Sequence, residues 1–170
     1  MKKNFILVSL VAALGIFSSF SALSYDGTIK FRGTIINEGC TINVPDSGTV
    51  NFGKLSKNVF GGKTNTVGIS KDFSISLTAC PKDGAVGISF DGEPNIHNKS
   101  FYASGLDGVG IQISNADSGT EIKPREHATG VATITSNTAT MKFIAKLIST
   151  NNSITAGAIN KDINFTIIYP

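Results

Sequence analysis

From residue 25 onward, apolar and polar side chains alternate in short runs separated by turn residues, the period of strands with one buried face. The first run is YDGTIKFRGTIINEGC, residues 25–40. Ile29, Phe31 and Ile35 fall on one face with Gly27 and Gly33, while Thr28, Lys30, Arg32 and Thr34 fall on the other. Residues 35–44 predict a strand passing through Cys40 and ended by Pro45-Asp46-Ser47-Gly48, and residues 49–52 predict a short one. Residues 58–66, rich in Gly and Asn, predict a loop. Phe73, Ile75, Leu77 and Ala79 then alternate with Ser and Thr into Cys80 as a half-buried strand.

After a turn at residues 81–84, Val86, Ile88 and Phe90 form a strand closed by Asp91-Gly92, and residues 93–107 read mostly as loop. Val109, Ile111 and Ile113 alternate again, residues 115–119 turn, and residues 120–123 form a short strand before Pro124. Residues 139–149 place Met141, Phe143, Ala145 and Leu147 on one face; a helical turn is the competing drawing, and β-branched flanks with a length near that of a strand decide against it. A polar stretch, residues 151–158, precedes a last strand over residues 159–169, where Ile163, Phe165, Ile167 and Tyr169 share a face. The chain is therefore all-β, a sandwich of short strands with no repeat, linker or second domain.

Residues 1–24 stand outside this pattern. Lys2 and Lys3 precede an apolar run over residues 5–20, and Ala22-Leu23-Ser24 is a small-x-small cleavage site. That order is a signal peptide, and the run falls short of the ~20 apolar residues of a membrane span. Removing 24 of the 170 residues leaves 146, enough for one domain with a core. Without Lys2 and Lys3 the 15 basic side chains become 13 against 12 acidic ones, a net charge of +1. No basic patch speaks for nucleic acid or an anionic membrane as partner.

The composition carries little chemistry. His97 and His127 lie in polar, loop-like sequence outside any zinc or triad motif. Asp83, Asp91, Glu93 and Asp107 lack carboxylate-pair or calcium-loop spacing and fit turns. Residues 87–91 approach a nucleophile elbow but lack its final glycine. The reading is a non-enzyme without cofactor, metal or small-molecule substrate. The two cysteines, Cys40 and Cys80, form an even count in an exported chain, which reads as one disulfide rather than as reactive or metal-binding thiols.

A chain that begins and ends in amphipathic strands either pairs them locally or leaves one sheet edge open to a foreign strand; an apolar edge left unpaired is an aggregation hazard. Here a resemblance enters. GTIKFRGTIINEGC, the Cys40 to Cys80 spacing, MKFIAKLIS, Ala156-Gly157-Ala158 and INFTIIYP together resemble the pilins of the chaperone–usher pathway, the type 1 fimbrial subunit family. Tyr169 is penultimate and Gly157 fourteenth from the C-terminus, as in that family. The resemblance implies an incomplete immunoglobulin-like β-sandwich completed by a donor strand from another subunit. It implies a signal peptide over 1–24, a donor extension over 25–36 and a pilin domain over 37–170.

Gly27, Ile29, Phe31, Gly33 and Ile35 would be the donor face. Gly157, Ile163, Phe165, Ile167 and Tyr169 would line the groove that a periplasmic chaperone fills in transit and a neighbouring subunit fills at the outer-membrane usher. Location on the bacterial surface and a part in adhesion follow from the same resemblance, and the short extension is closer to minor adaptor subunits. The competing reading is a secreted, closed β-sandwich that binds sugar.

Overall fold

Strands with a single apolar face must stack in pairs of sheets, and they do. The computed structural model describes residues 39–169, so the leader and the donor-face residues Gly27, Ile29, Phe31, Gly33 and Ile35 lie outside the described residues. Nine strands are present among the described residues: β1 Thr41–Asn43, β2 Val67–Thr78, β3 Gly84–Asp91, β4 Tyr102–Ala103, β5 Val109–Asn115, β6 Glu121–Ile122, β7 His127–Ile134, β8 Ala139–Ser149 and β9 Asn164–Ile168. One sheet has the order β1-β2-β8-β5-β4 with β6 added to β5; the other has the order β7-β3-β9. All pairings are antiparallel.

The core is the space between the two sheets. Ile75 and Leu77 from β2, Val109, Ile111 and Ile113 from β5, and Met141, Phe143 and Leu147 from β8 meet Val86, Ile88 and Phe90 from β3. Strand, not helix, is the state of residues 139–149, because β8 lies between β2 and β5 and its amides are used on both sides. Phe143 carries the contact between layers, with its ring 5.1 Å from Phe73 in its own sheet and 5.4 Å from Phe90 across the core. Cys40 and Cys80 are joined in a disulfide that ties the start of the described chain to the turn after β2.

Several expectations are corrected. Residues 49–52 form no strand: Val50 and Phe52 are half-buried, but among the described residues no neighbouring strand takes up their backbone groups. The last strand is confined to Asn164–Ile168, because Asn160, Lys161 and Asp162 interrupt the apolar alternation before it. Ala79 leaves β2 with a positive φ of 50°. Only Thr41–Asn43 of the strand drawn through Cys40 is paired, and residues 35–38 lie outside the described residues. His127, read as a loop histidine, opens β7, a strand the alternation does not signal. β7 changes register against β3 between Val86 and Ile88. A Cβ on Gly87 would stand 2.5 Å from the Ala128 carbonyl oxygen, so only glycine permits this approach of the two backbones.

Candidate functional site

Two strand edges on one side of the sandwich are unpaired among the described residues. β1 covers β2 only from Ser76 to Thr78, so the edge of β2 over residues 67–75 has no strand beside it. β9 pairs with β3 and with nothing on its other side among the described residues. The gap between these edges is the candidate site.

The registers settle which side chains face it. Phe165 lies directly opposite Phe90, and Ile167 opposite Ile88. Residues directly opposite in an antiparallel pair point to the same face. Ile88 and Phe90 are 0% and 3% exposed, whereas Phe165 and Ile167 on the edge strand are half-buried. The same inward face is therefore covered at β3 and only partly covered at β9. The ring of Phe165 lies 6.4 Å from Phe90, which lies 6.3 Å from Phe73 on the opposite edge, so an aromatic chain crosses the core and surfaces at the gap.

The ends of the gap are closed by specific contacts. At one end Ile163 packs where Gly92 passes Tyr102: a Cβ on Gly92 would stand 2.6 Å from the Tyr102 ring and 3.3 Å from Ile163. Tyr102 is fixed there by its hydroxyl, which donates to the Ile122 carbonyl at 2.9 Å, and burial pushes its pKa upward. At the other end the Tyr169 hydroxyl accepts from the Cys40 N–H at 3.2 Å. The C-terminal strand and the disulfide thus meet at the root of the leading segment.

Gly157 stands apart from this row. It lies in the irregular stretch before β9, where a Cβ would stand 2.7 Å from the Leu106 side chain. Sequence reasoning missed the opposite wall of the gap. Phe73 is half-buried on the edge of β2, and Ile42 of β1 lies opposite the buried Leu77 yet is 44% exposed. The signal for Phe73 was present in its alternation; that its strand is an edge was not.

The stretch leading into β9 is held by Lys161, whose ammonium donates to Glu93 Oε2 at 2.6 Å. The hydrogen bond from Lys161 and then its charge hold the Glu93 carboxyl below the usual carboxylate range. A depressed carboxyl contributes stability above its unfolded pKa, and that contribution is lost as pH falls through the lower folded value. Lys161→Met is expected to return the Glu93 pKa to the ordinary range in an NMR titration; an unchanged pKa would show that the ion pair is not its cause.

The family model described as Fimbrial protein matches residues 29–170, and the chain belongs to that family. It is 31% identical to the F17 fimbrial protein of Escherichia coli, over 99% of this chain and 98% of that one. It is 29% identical to Long polar fimbria protein A of Salmonella typhimurium, over 99% and 97% of the two chains. Among solved structures it resembles an antigen and type I fimbria protein of Burkholderia pseudomallei, with a TM-score of 0.59 at 29% identity over 84% of this chain and 97% of that chain. The P pilus rod subunit PapA shares the fold, with a TM-score of 0.64 at 21% identity over 78% of this chain and 100% of that chain.

The protein is accordingly a structural subunit of a fimbria, exported and assembled on the bacterial surface through pilin–pilin association. The competing reading of a closed, secreted sugar-binding module gives way to this membership.

Proposed function

We propose that this subunit joins its neighbours by donor-strand exchange, a form of strand addition to an exposed sheet edge. Residues 25–36 of one copy would enter the gap beside β9 of the next, with Gly27, Ile29, Phe31, Gly33 and Ile35 directed inward. The observation that carries this reading is the row Ile163, Phe165, Ile167 and Tyr169, half-buried on a strand with one free edge. A periplasmic chaperone would cover that edge during transit, and exchange would take place at the outer-membrane usher.

The magnitudes suit a durable joint. Burial of Ile29, Phe31 and Ile35 contributes roughly 5–9 kcal/mol at ~1.5–3 kcal/mol each. A ladder of about eight main-chain hydrogen bonds at ~1 kcal/mol each adds a comparable amount.

Deletion of residues 25–35, with the leader retained, tests this. The truncated subunit is expected to be recovered with its chaperone but to be absent from the joint with the subunit ahead of it, as read by electron microscopy and by separation of undissociated subunit ladders. Fibres of normal length from a strain carrying only the truncated subunit would overturn the reading.

A further inference from the structure

The Tyr169 side chain takes part in two places at once. Its ring follows Ile163, Phe165 and Ile167 in the alternation and packs, half-buried, against the core at one end of the gap. Its hydroxyl leaves that row and accepts from the Cys40 N–H at 3.2 Å. Cys40 directly precedes β1, an edge strand of the larger sheet, whereas Tyr169 directly follows β9 of the smaller one. The hydrogen bond therefore ties the two sheets together where the gap ends.

Gly39 makes room for this contact. A Cβ there would stand 3.1 Å from the Tyr169 hydroxyl oxygen and 3.3 Å from its ring, tighter than side chains ordinarily pack, so glycine lets the phenol lie against the backbone. Two consecutive residues, Gly39 and Cys40, are thus fitted to one phenol. Residues 37 and 38 alone separate them from residues 25–36, the proposed donor segment. β1 offers this point no burial, being three exposed residues long. The disulfide holds Cys40 through its side chain, and the phenol holds its backbone. A single side-chain tie leaves the main chain free to turn about it; a second hold on the backbone removes that turn.

We infer that Tyr169 is a positioning residue for donation: its hydroxyl holds the Gly39–Cys40 backbone and so sets the direction in which residues 25–36 leave the body towards the gap of a second copy. The inference rests on the donor-strand reading above. The ring belongs to the subunit's own gap, and the hydroxyl to the joint that the subunit makes with the one ahead of it. Holding a segment at its root lowers the conformational cost of ordering it on binding. Loss of the hydroxyl therefore weakens donation and leaves acceptance intact.

Tyr169→Phe in the full mature chain keeps the ring and removes the hydrogen-bond acceptor. A synthetic peptide of residues 25–36 is a donor strand without a root, so its capture by the chain reads the gap alone, whereas the joining of whole chains reads both partners. Tyr169→Phe is expected to slow the joining of whole chains about three- to tenfold, the scale of one lost hydrogen bond, with peptide capture within about twofold of the unsubstituted chain. The Cys40 amide should exchange with deuterated solvent faster by a similar factor while the amides of β8 keep their protection. Equal losses in the two assays would overturn the inference, because the hydroxyl would then serve the gap; so would undiminished joining, or unchanged exchange at Cys40. The peptide also separates the two levels. If the unsubstituted chain does not capture it, the donor-strand reading fails and this role with it, whereas capture with undiminished joining of Tyr169→Phe chains removes the role of Tyr169 alone.

Discussion

Phe165→Asp should leave almost no recoverable subunit. Its ring stands 6.4 Å from Phe90, and through Phe90 it touches the cluster with Phe73 and Phe143 that joins the two sheets. Removing a fully buried aromatic costs about 3–5 kcal/mol, a cost that half-buried Phe165 reaches once a foreign strand covers its row. The carboxylate put in its place faces Phe90 without a partner, and once a foreign strand covers the row that unpaired charge costs several kcal/mol more. A domain with about 5–15 kcal/mol of total stability does not survive that sum. Phe165→Leu keeps an apolar side chain in the row and is expected to remain soluble. Periplasmic yield, resistance to limited proteolysis and co-purification with the chaperone measure the difference. Normal amounts of protease-resistant Phe165→Asp protein, free of any helper, would show that the β9 edge is not a place where a foreign strand is needed.

Loss of the disulfide is the second large effect. Cys40 and Cys80 are 40 residues apart, and closing a loop of that length stabilises by about 4 kcal/mol in the chain-entropy model. The native contacts that could substitute for it are few. β1 is three residues long and exposed throughout, so it cannot hold the start of the body by burial. The paired substitution Cys40→Ala with Cys80→Ala is expected to lower the unfolding free energy by about that amount in urea titration. It should also loosen the root of the leading segment, which Tyr169 meets at the Cys40 N–H. A loss below about 1 kcal/mol would mean that neighbouring contacts, not the covalent tie, hold this end.

The central strands were legible because their physics is local. In β2, β3, β5 and β8 one face meets the core and the other does not, so alternation of Phe73, Ile75 and Leu77, or of Met141, Phe143, Ala145 and Leu147, reports strand and face together. β7 was not legible. Its inward side chains include the small Ala128 and Ala132, and a shift of register breaks the period. The reverse error occurred at residues 49–52, where Val50 and Phe52 alternate but no strand among the described residues stands beside them. Alternation records burial, whereas a strand also needs a partner for its amides.

The sequence by itself determined an exported all-β chain, its disulfide pair, and an amphipathic run at each end, because leader composition, cysteine count and period are properties of consecutive residues. Only the tertiary structure decided that β2 and β9 are the edges of one gap, and that Phe73 and Ile42 form its second wall. An edge is defined by which strands fail to meet, and ladder order between distant segments leaves no mark in the local pattern of either.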